Sequence, residues 1–238
     1  MKIKQYDLVI FDWDGTLMDS IGKIIICIEN MAKTLHLPIP TENDIRDIIG
    51  LSMTEALRVL FPQELKVSAS SVHAQRSFSK NESSQSPDDE YQQMRAELKA
   101  QYLYLDTTPT PLFAQAPVLI NNLHTQGYQL AVATGKARAG LERVFEQTGL
   151  GRYFVASRCA DEVRSKPHPD MISSLLHELN IAPERALMVG DSLLDLTMAA
   201  NAGIDSIGVT YGAHSAETLL RARPIALIDS PEQLQQYL

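Results

Sequence analysis

From residue 118 to residue 228 helical and strand patterns alternate, and this alternation restricts the fold more than any other feature of the chain. "VLINNLHTQG" has helical spacing and ends on Gly127, "YQLAVAT" is an apolar strand, and "ARAGLERVFEQTG" is again helical. "YFVAS", "RALMVGD", "DSIGVT" and "PIALI" read as further strands, with "PDMISSLLHELN" and "LLDLTMAANAG" as helices between them. Strands this apolar on both sides suit a parallel sheet covered by helices on each face. One earlier run, "YDLVIF", predicts a strand over residues 6–12 that joins the same sheet.

The stretch between that first strand and residue 118 is different. It is helical from Ser20 to about Leu37, with Ser20 as the expected cap, and again over "ENDIRDII", "MTEALRVLF" and "DDEYQQMRAELKAQYLYL". Acidic residues open the last of these, where the helix dipole favours them. Between Ser68 and Ser86 lie eight serines mixed with Gln, Asn and Lys, a composition that predicts a flexible loop over about 67–88. "DTTPTPLFAQAP" reads as a connector. The expected class is α/β: a doubly wound, mostly parallel sheet formed by residues 1–18 and 109–238, with a small all-helical domain, 19–108, inserted after strand one.

A hydrophobic content of 45% is ample for a core, and a net charge of −8 argues against a nucleic-acid or anionic-membrane surface. Cys27 and Cys159 have no metal-ligand spacing and suit a reducing, cytoplasmic setting. The N-terminal apolar run, bracketed by Asp7 and Asp12, is too short for a signal peptide, and "KIIICI" is too short to span a bilayer.

In open α/β sheets ligands bind beyond the carboxyl ends of the strands. Asp12 and Asp14 stand at the end of the first, on one side by the strand period, with Trp13 directed to the other. Carboxylates ~5 Å apart repel by roughly 3 kcal/mol at an effective dielectric of about 20, so a proton, a lysine or a cation must offset them. The "YQLAVAT" strand ends at Thr134, followed by Gly135 and Lys136; "RALMVGD" ends at Gly190 and Asp191, with Ser192 and Asp195 beyond. Lys166 precedes a helix that starts at Pro167 or Pro169. Oxygen ligands without His or Cys suit Mg²⁺, and a carboxylate nucleophile, an acid, a metal and a lysine suit phosphoryl transfer.

Each piece has a plainer reading. Asp14-Gly15 is a common turn pair, Thr134-Gly135 is ordinary loop chemistry, and Lys166 before a proline is usually a solvated charge. Asp191 or Ser192 fits a helix cap, Asp195 fits a helix surface, and His168, His177 and His214 read as surface or loop residues rather than ligands. Trp13 reads as core. What favours the chemical reading is that all four elements fall at strand ends, in order, around a helical insertion.

"FDWDGTLMDS", "VATGK", "SKPHPD" and "VGDSLLD" together resemble the four motifs of the haloacid dehalogenase superfamily, and the chain looks most like its phosphoglycolate-phosphatase-like branch. The resemblance covers nearly the whole chain and implies a Rossmann-like core with a mobile helical cap. It implies that Asp12 attacks phosphorus and that Asp14 is the acid and base. Thr134 and Gly135 would bind the phosphoryl group, and Lys166 would neutralise it. Asp191, Asp12 and the Asp14 carbonyl would hold Mg²⁺, with Asp195 in support. Gly50, in the loop Gly50-Leu51-Ser52, is expected to face the site from the cap.

Related dehalogenases and phosphonatases carry other residues at position 14, so Asp14 implies phosphate-ester chemistry on a small phosphorylated metabolite. A phosphosugar mutase uses the same motifs. A phospho-accepting receiver domain shares Asp, Thr, Lys and Mg²⁺ but lacks the insertion, and a silent binding module is disfavoured because no expected catalytic position is substituted.

Overall fold

A computed structural model describes residues 5–62 and 87–238. Among these, six strands form one parallel sheet: β1 (Leu8–Phe11), β2 (Gln129–Thr134), β3 (Ala156–Cys159), β4 (Ala186–Gly190), β5 (Asp205–Val209) and β6 (Ala226–Ile228). Their order is β3-β2-β1-β4-β5-β6. The first strand is therefore central, pairing Leu8 with Gln129 on one side and with Ala186 on the other. The chain builds outward from β1 in one direction and then in the other. The order reverses at β1, and a crevice opens at such a point beyond the strands' carboxyl ends.

Strand alternation divides the core between the two faces. Val9 and Phe11 pack with Leu130, Val132 and Val189 under α5 (Ala116–Thr125) and α6 (Arg138–Thr148). Leu8 and Ile10 pack with Ala131, Ala133 and Met188 under α7 (Asp170–Leu179) and α8 (Leu193–Ala202). Each large aliphatic or aromatic side chain buried this way contributes about 1.5–3 kcal/mol, so both helix layers are firmly attached. Trp13 is fully buried, edge-on to Phe145 at 5.3 Å, and is core as expected.

Among the described residues, helices α1 (Ile21–Thr34), α2 (Glu42–Asp47), α3 (Met53–Leu60) and α4 (Pro87–Ala100) come next after β1. Their apolar sides meet in a separate cluster that includes Cys27, Met31, Ile45, Leu57, Met94 and Leu98. The connections on either side of these helices run together: Asp19 N–H donates to the Pro111 carbonyl at 2.8 Å, and Phe113 N–H to the Leu17 carbonyl at 3.0 Å. Met18 and Leu112 form an antiparallel bridge there. The expected serine-rich loop lies outside the described residues, except for Pro87 and Asp88 at the start of α4.

Several boundaries differ from expectation. β1 is shorter than 6–12, because the Tyr6 hydroxyl instead donates to Asp205 at 2.7 Å. β3 begins at Ala156 rather than Tyr153: Leu150–Tyr153 forms a 3₁₀ turn, and Tyr153 and Phe154 pack against the core. α4 ends at Ala100, after which Gln101–Leu105 is a π-helical turn. A five-residue helix, α9 (Ala216–Leu220), was not foreseen; its pattern is too short to detect, although Ser215 caps it. α7 begins at Asp170, with Pro169 in the cap position.

Candidate active site

The three central strands deliver the site. Asp12 follows β1, and its N–H donates to the Val189 carbonyl at 3.0 Å, so the ladder holds it at the sheet's edge. Thr134 ends β2 on one side and Asp191 follows β4 on the other. All three are buried. Lys166, in the loop between β3 and α7, reaches Asp12 Oδ1 at 2.8 Å and Asp195 Oδ1 at 2.6 Å. Its side chain is fully buried, so it is not a solvated charge. These contacts lie off the ideal hydrogen-bond directions, so the ammonium attracts each carboxylate as a charge without a well-aligned hydrogen bond.

The charges explain the titration shifts. Burial lifts the Asp12 carboxyl to about 7; Lys166 pulls it back, and Asp195 raises it. Asp191 is pushed well above the carboxylate range by burial first, then by Asp12 and Asp195. Burial works to lower the Lys166 pKa, but its two carboxylates outweigh this and raise it. Lys166 thus pairs with two of the three buried carboxylates, Asp12 and Asp195.

Asp12, Asp191 and Asp195 each place a carboxylate oxygen within 4.8 Å of the others. An all-oxygen, surplus-negative group of this kind fits a hard divalent cation. Asp191 is oriented by two donors, the Thr16 hydroxyl at 2.8 Å and the Ala213 N–H at 2.7 Å. Asp195 is tied elsewhere: its Oδ2 accepts from the Ser192 hydroxyl at 2.6 Å and the Ser192 N–H at 3.1 Å, closing the capping box of α8. Ser192, not Asp191, is the cap, and Asp195 is buried, not on the helix surface.

Asp14 stands apart from the triad. Its Oδ2 pairs with Lys136 Nζ at 2.9 Å, and its Oδ1 accepts from the Ser20 hydroxyl at 2.5 Å. Ser20 does not cap α1 through its side chain: its backbone is already near-helical and its hydroxyl is turned toward Asp14. Thr134 Oγ1 accepts from the Lys136 N–H at 3.2 Å, which shapes the turn beyond β2.

The loop between α2 and α3 reaches this centre. Gly50, at φ +104°, lies where an added Cβ would stand 3.3 Å from Ser192 Oγ and 3.7 Å from Lys166 Cδ. A Cβ on Gly135 would come within 2.6 Å of the Gly50 carbonyl oxygen. Ser52 N–H donates to Ser165 Oγ at 2.9 Å, one residue from Lys166.

The histidines divide. His168 and His177 are loop and surface residues as expected. His214 lies in a loop but is buried. Its Nδ1 accepts from the Leu193 N–H at 2.8 Å, which puts the proton of the neutral ring on Nε2, 3.3 Å from Asp47 Oδ1. Cys27 and Cys159 are free, buried and in separate clusters. Thr16, Ser20 and Lys136 touch the site residues, although the sequence reading gave none of them a role in the site. Only Lys136, two residues beyond Thr134 at a strand end, had a signal that could have found it.

The parallel sheet reverses at its first strand, and Lys166 meets Asp12 in a buried ion pair at that strand's end, which makes this an open α/β core with charged groups gathered at its switch point. The model of the haloacid dehalogenase-like hydrolases matches residues 9–209, and the chain belongs to that family. It is similar, at 30% identity over 98% of its length and 96% of the relative's, to a phosphoglycolate phosphatase of Vibrio vulnificus. Its fold matches a Haemophilus somnus structure described as a predicted phosphoglycolate phosphatase, at a TM-score of 0.81 and 23% identity over 99% of each chain. A haloacid dehalogenase-like hydrolase of Streptococcus pneumoniae matches at a TM-score of 0.75 and 23% identity, also over 99% of each. Among the described residues no helix is long and apolar enough to cross a membrane.

Proposed function

We propose that the chain is a phosphatase that hydrolyses a small phosphomonoester through an aspartyl-phosphate on Asp12. The observation that carries this reading is the Lys166–Asp12 pair at 2.8 Å: a carboxylate at the end of the central strand, with a cation beside it. The Asp12 carboxylate attacks phosphorus in line, and the P–O bond to the alcohol breaks as Asp14 gives that oxygen a proton. Asp14 then takes a proton from water, whose oxygen attacks the aspartyl-phosphate. Inorganic phosphate leaves and the Asp12 carboxylate is restored. Lys166 balances charge on the phosphoryl oxygens, and Thr134 and the Gly135 backbone hold them.

Asp12, Asp191 and the Asp14 carbonyl would hold Mg²⁺, with Asp195 keeping Lys166 in place. The ion would neutralise phosphoryl oxygens, which is its usual part in such transfers. Residues 19–108 act as a cap over a core of 1–18 and 109–238. Their own apolar cluster and the contact of Gly50 with Gly135 support this. A cap this close excludes water and favours a small substrate. 2-Phosphoglycolate is the first candidate, on the relatives' names, and small sugar phosphates come next. Free buried cysteines fit a cytoplasmic setting.

A screen of small phosphomonoesters with Mg²⁺, and with a chelator in its place, tests the reading. Phosphate release from at least one ester, lost on chelation, is expected. Failure of every ester with Mg²⁺ present would overturn it, and interconversion of a sugar phosphate without net release would mark a mutase.

A further inference from the structure

Tyr102, in the π turn after α4, has three cations around its ring. Lys23 Nζ of α1 is 5.2 Å from the centroid, Lys136 Nζ is 5.4 Å away, and Arg143 Cζ of α6 is 5.7 Å away. An aromatic ring has two attractive faces, so cation–π attraction does not by itself account for a third cation. Carboxylates account for two of them. Lys23 donates to the Asp106 carbonyl at 2.9 Å with the Asp106 carboxylate at 3.8 Å, and Lys136 pairs with Asp14 at 2.9 Å. Among the described residues Arg143 has no carboxylate partner, and its buried Nε has no hydrogen-bond partner. An unmet guanidinium N–H in a buried place costs free energy unless something else meets it.

The cluster's position suggests what that is. Lys136 links it directly to Asp14, the residue proposed to protonate the leaving oxygen. The rest of the leaving alcohol must lie on this side of the phosphorus. Burial, then the nearby Asp14 charge, raises the Tyr102 pKa, so its hydroxyl remains a donor. Resting on the phosphatase reading, we infer that Arg143, with Lys23 and Tyr102, forms a subsite for a compact anionic group on the leaving alcohol, a carboxylate or a second phosphoryl group. Arg143 is then the residue that sets the preference for a charged leaving group, because its fork of N–H donors matches either anion.

Three ester substrates separate the possibilities: 2-phosphoglycolate, the uncharged 2-hydroxyethyl phosphate, and 1,3-propanediol bisphosphate. The wild type should favour one of the two charged esters over the uncharged one by about tenfold or more in kcat/KM, and which one identifies the anion. Arg143→Ala should remove most of that ratio, mainly through KM; Arg143→Lys should restore part of it; Arg143→Glu should shift preference toward O-phosphoethanolamine. An equal ratio in wild type and Arg143→Ala would overturn the subsite. Lys23→Met, which should lower the same ratio, serves if Arg143→Ala does not fold. Calorimetry with 3-phosphonopropanoate and propylphosphonate, which differ in carboxylate against methyl, needs no turnover. Tighter binding of the carboxylate by wild type, lost in Arg143→Ala, supports the subsite even if no ester is hydrolysed; equal binding of the two phosphonates by wild type refutes a carboxylate site.

Discussion

The Gly135 α-carbon faces the Gly50 carbonyl so closely that a Cβ on Gly135 would stand 2.6 Å from that oxygen and 2.7 Å from the carbonyl oxygen of Leu51. The neighbours are backbone, not the ends of flexible side chains, so they cannot simply swing away. Gly135→Ala should push the α2–α3 loop off the core. Misplacement by about 1 Å can cost about 10²-fold in rate, so kcat/KM should fall by roughly 10 to 100-fold. The melting temperature should change little, because the helices keep their own cluster. Turnover at the wild-type level would show that this approach has no catalytic role.

Asp12→Asn removes the attacking charge but keeps the side chain's shape, so turnover should fall roughly 10⁴-fold or more. The fold should survive. The Asp12 carboxyl is lifted to about 7, above its value of 3.8 in an ordinary setting, so the folded wild type holds a proton that the unfolded chain releases between those values. Stability of chelated wild type should therefore decline as pH rises across that window and level off above it, whereas Asp12→Asn should lack this contribution. Thermal melts from pH 4 to pH 8 in EDTA read it directly; parallel curves for the two proteins would be the contrary result.

Mg²⁺ should stabilise the wild type. At 100 times its dissociation constant a bound ion contributes about 2.7 kcal/mol, or about 5–10 °C in a domain of this size. Asp191→Ala should shrink that shift and raise the Mg²⁺ needed for activity. Undiminished turnover in excess EDTA would remove the metal from the mechanism.

Trp13 tests the core reading of its neighbourhood. It is the only tryptophan, packed edge-on against the stacked pair Phe145 and Phe154, and among the described residues its buried Nε1 has no hydrogen-bond partner. Trp13→Ala should cost about 3–5 kcal/mol. Trp13→Phe should cost clearly less, because its ring leaves a smaller cavity. Urea denaturation followed by far-UV circular dichroism measures both. Similar costs for the two would contradict a packing role.

The strand ends were legible because parallel buried strands have distinctive runs, and chemistry on such sheets gathers at their carboxyl edge. Asp12, Thr134 and Asp191 could be placed in that way without coordinates. Lys166 and Asp195 were recognisable through motif spacing, although their mutual contact was not. Boundaries set by tertiary packing were less accessible. "YFVAS" has strand composition, yet Tyr153 and Phe154 pack partly buried against the core and the strand starts later. Ser20 has every local mark of a cap, but a longer-range acceptor, Asp14, takes its hydroxyl. The ring of cations around Tyr102 was beyond reach, because it draws Lys23, Lys136 and Arg143 from three elements that only the folded chain brings together.

The chain leaves the sheet after Met18 and returns beside it at Leu112, through a single antiparallel bridge. Entry and exit share one doorway. Lengthening, shortening or exchanging what lies beyond that doorway leaves β1 and β2 free to pair as before. On the proposed cap reading, changes in those helices can alter what meets a substrate while the ends of β1, β2 and β4 keep their own geometry.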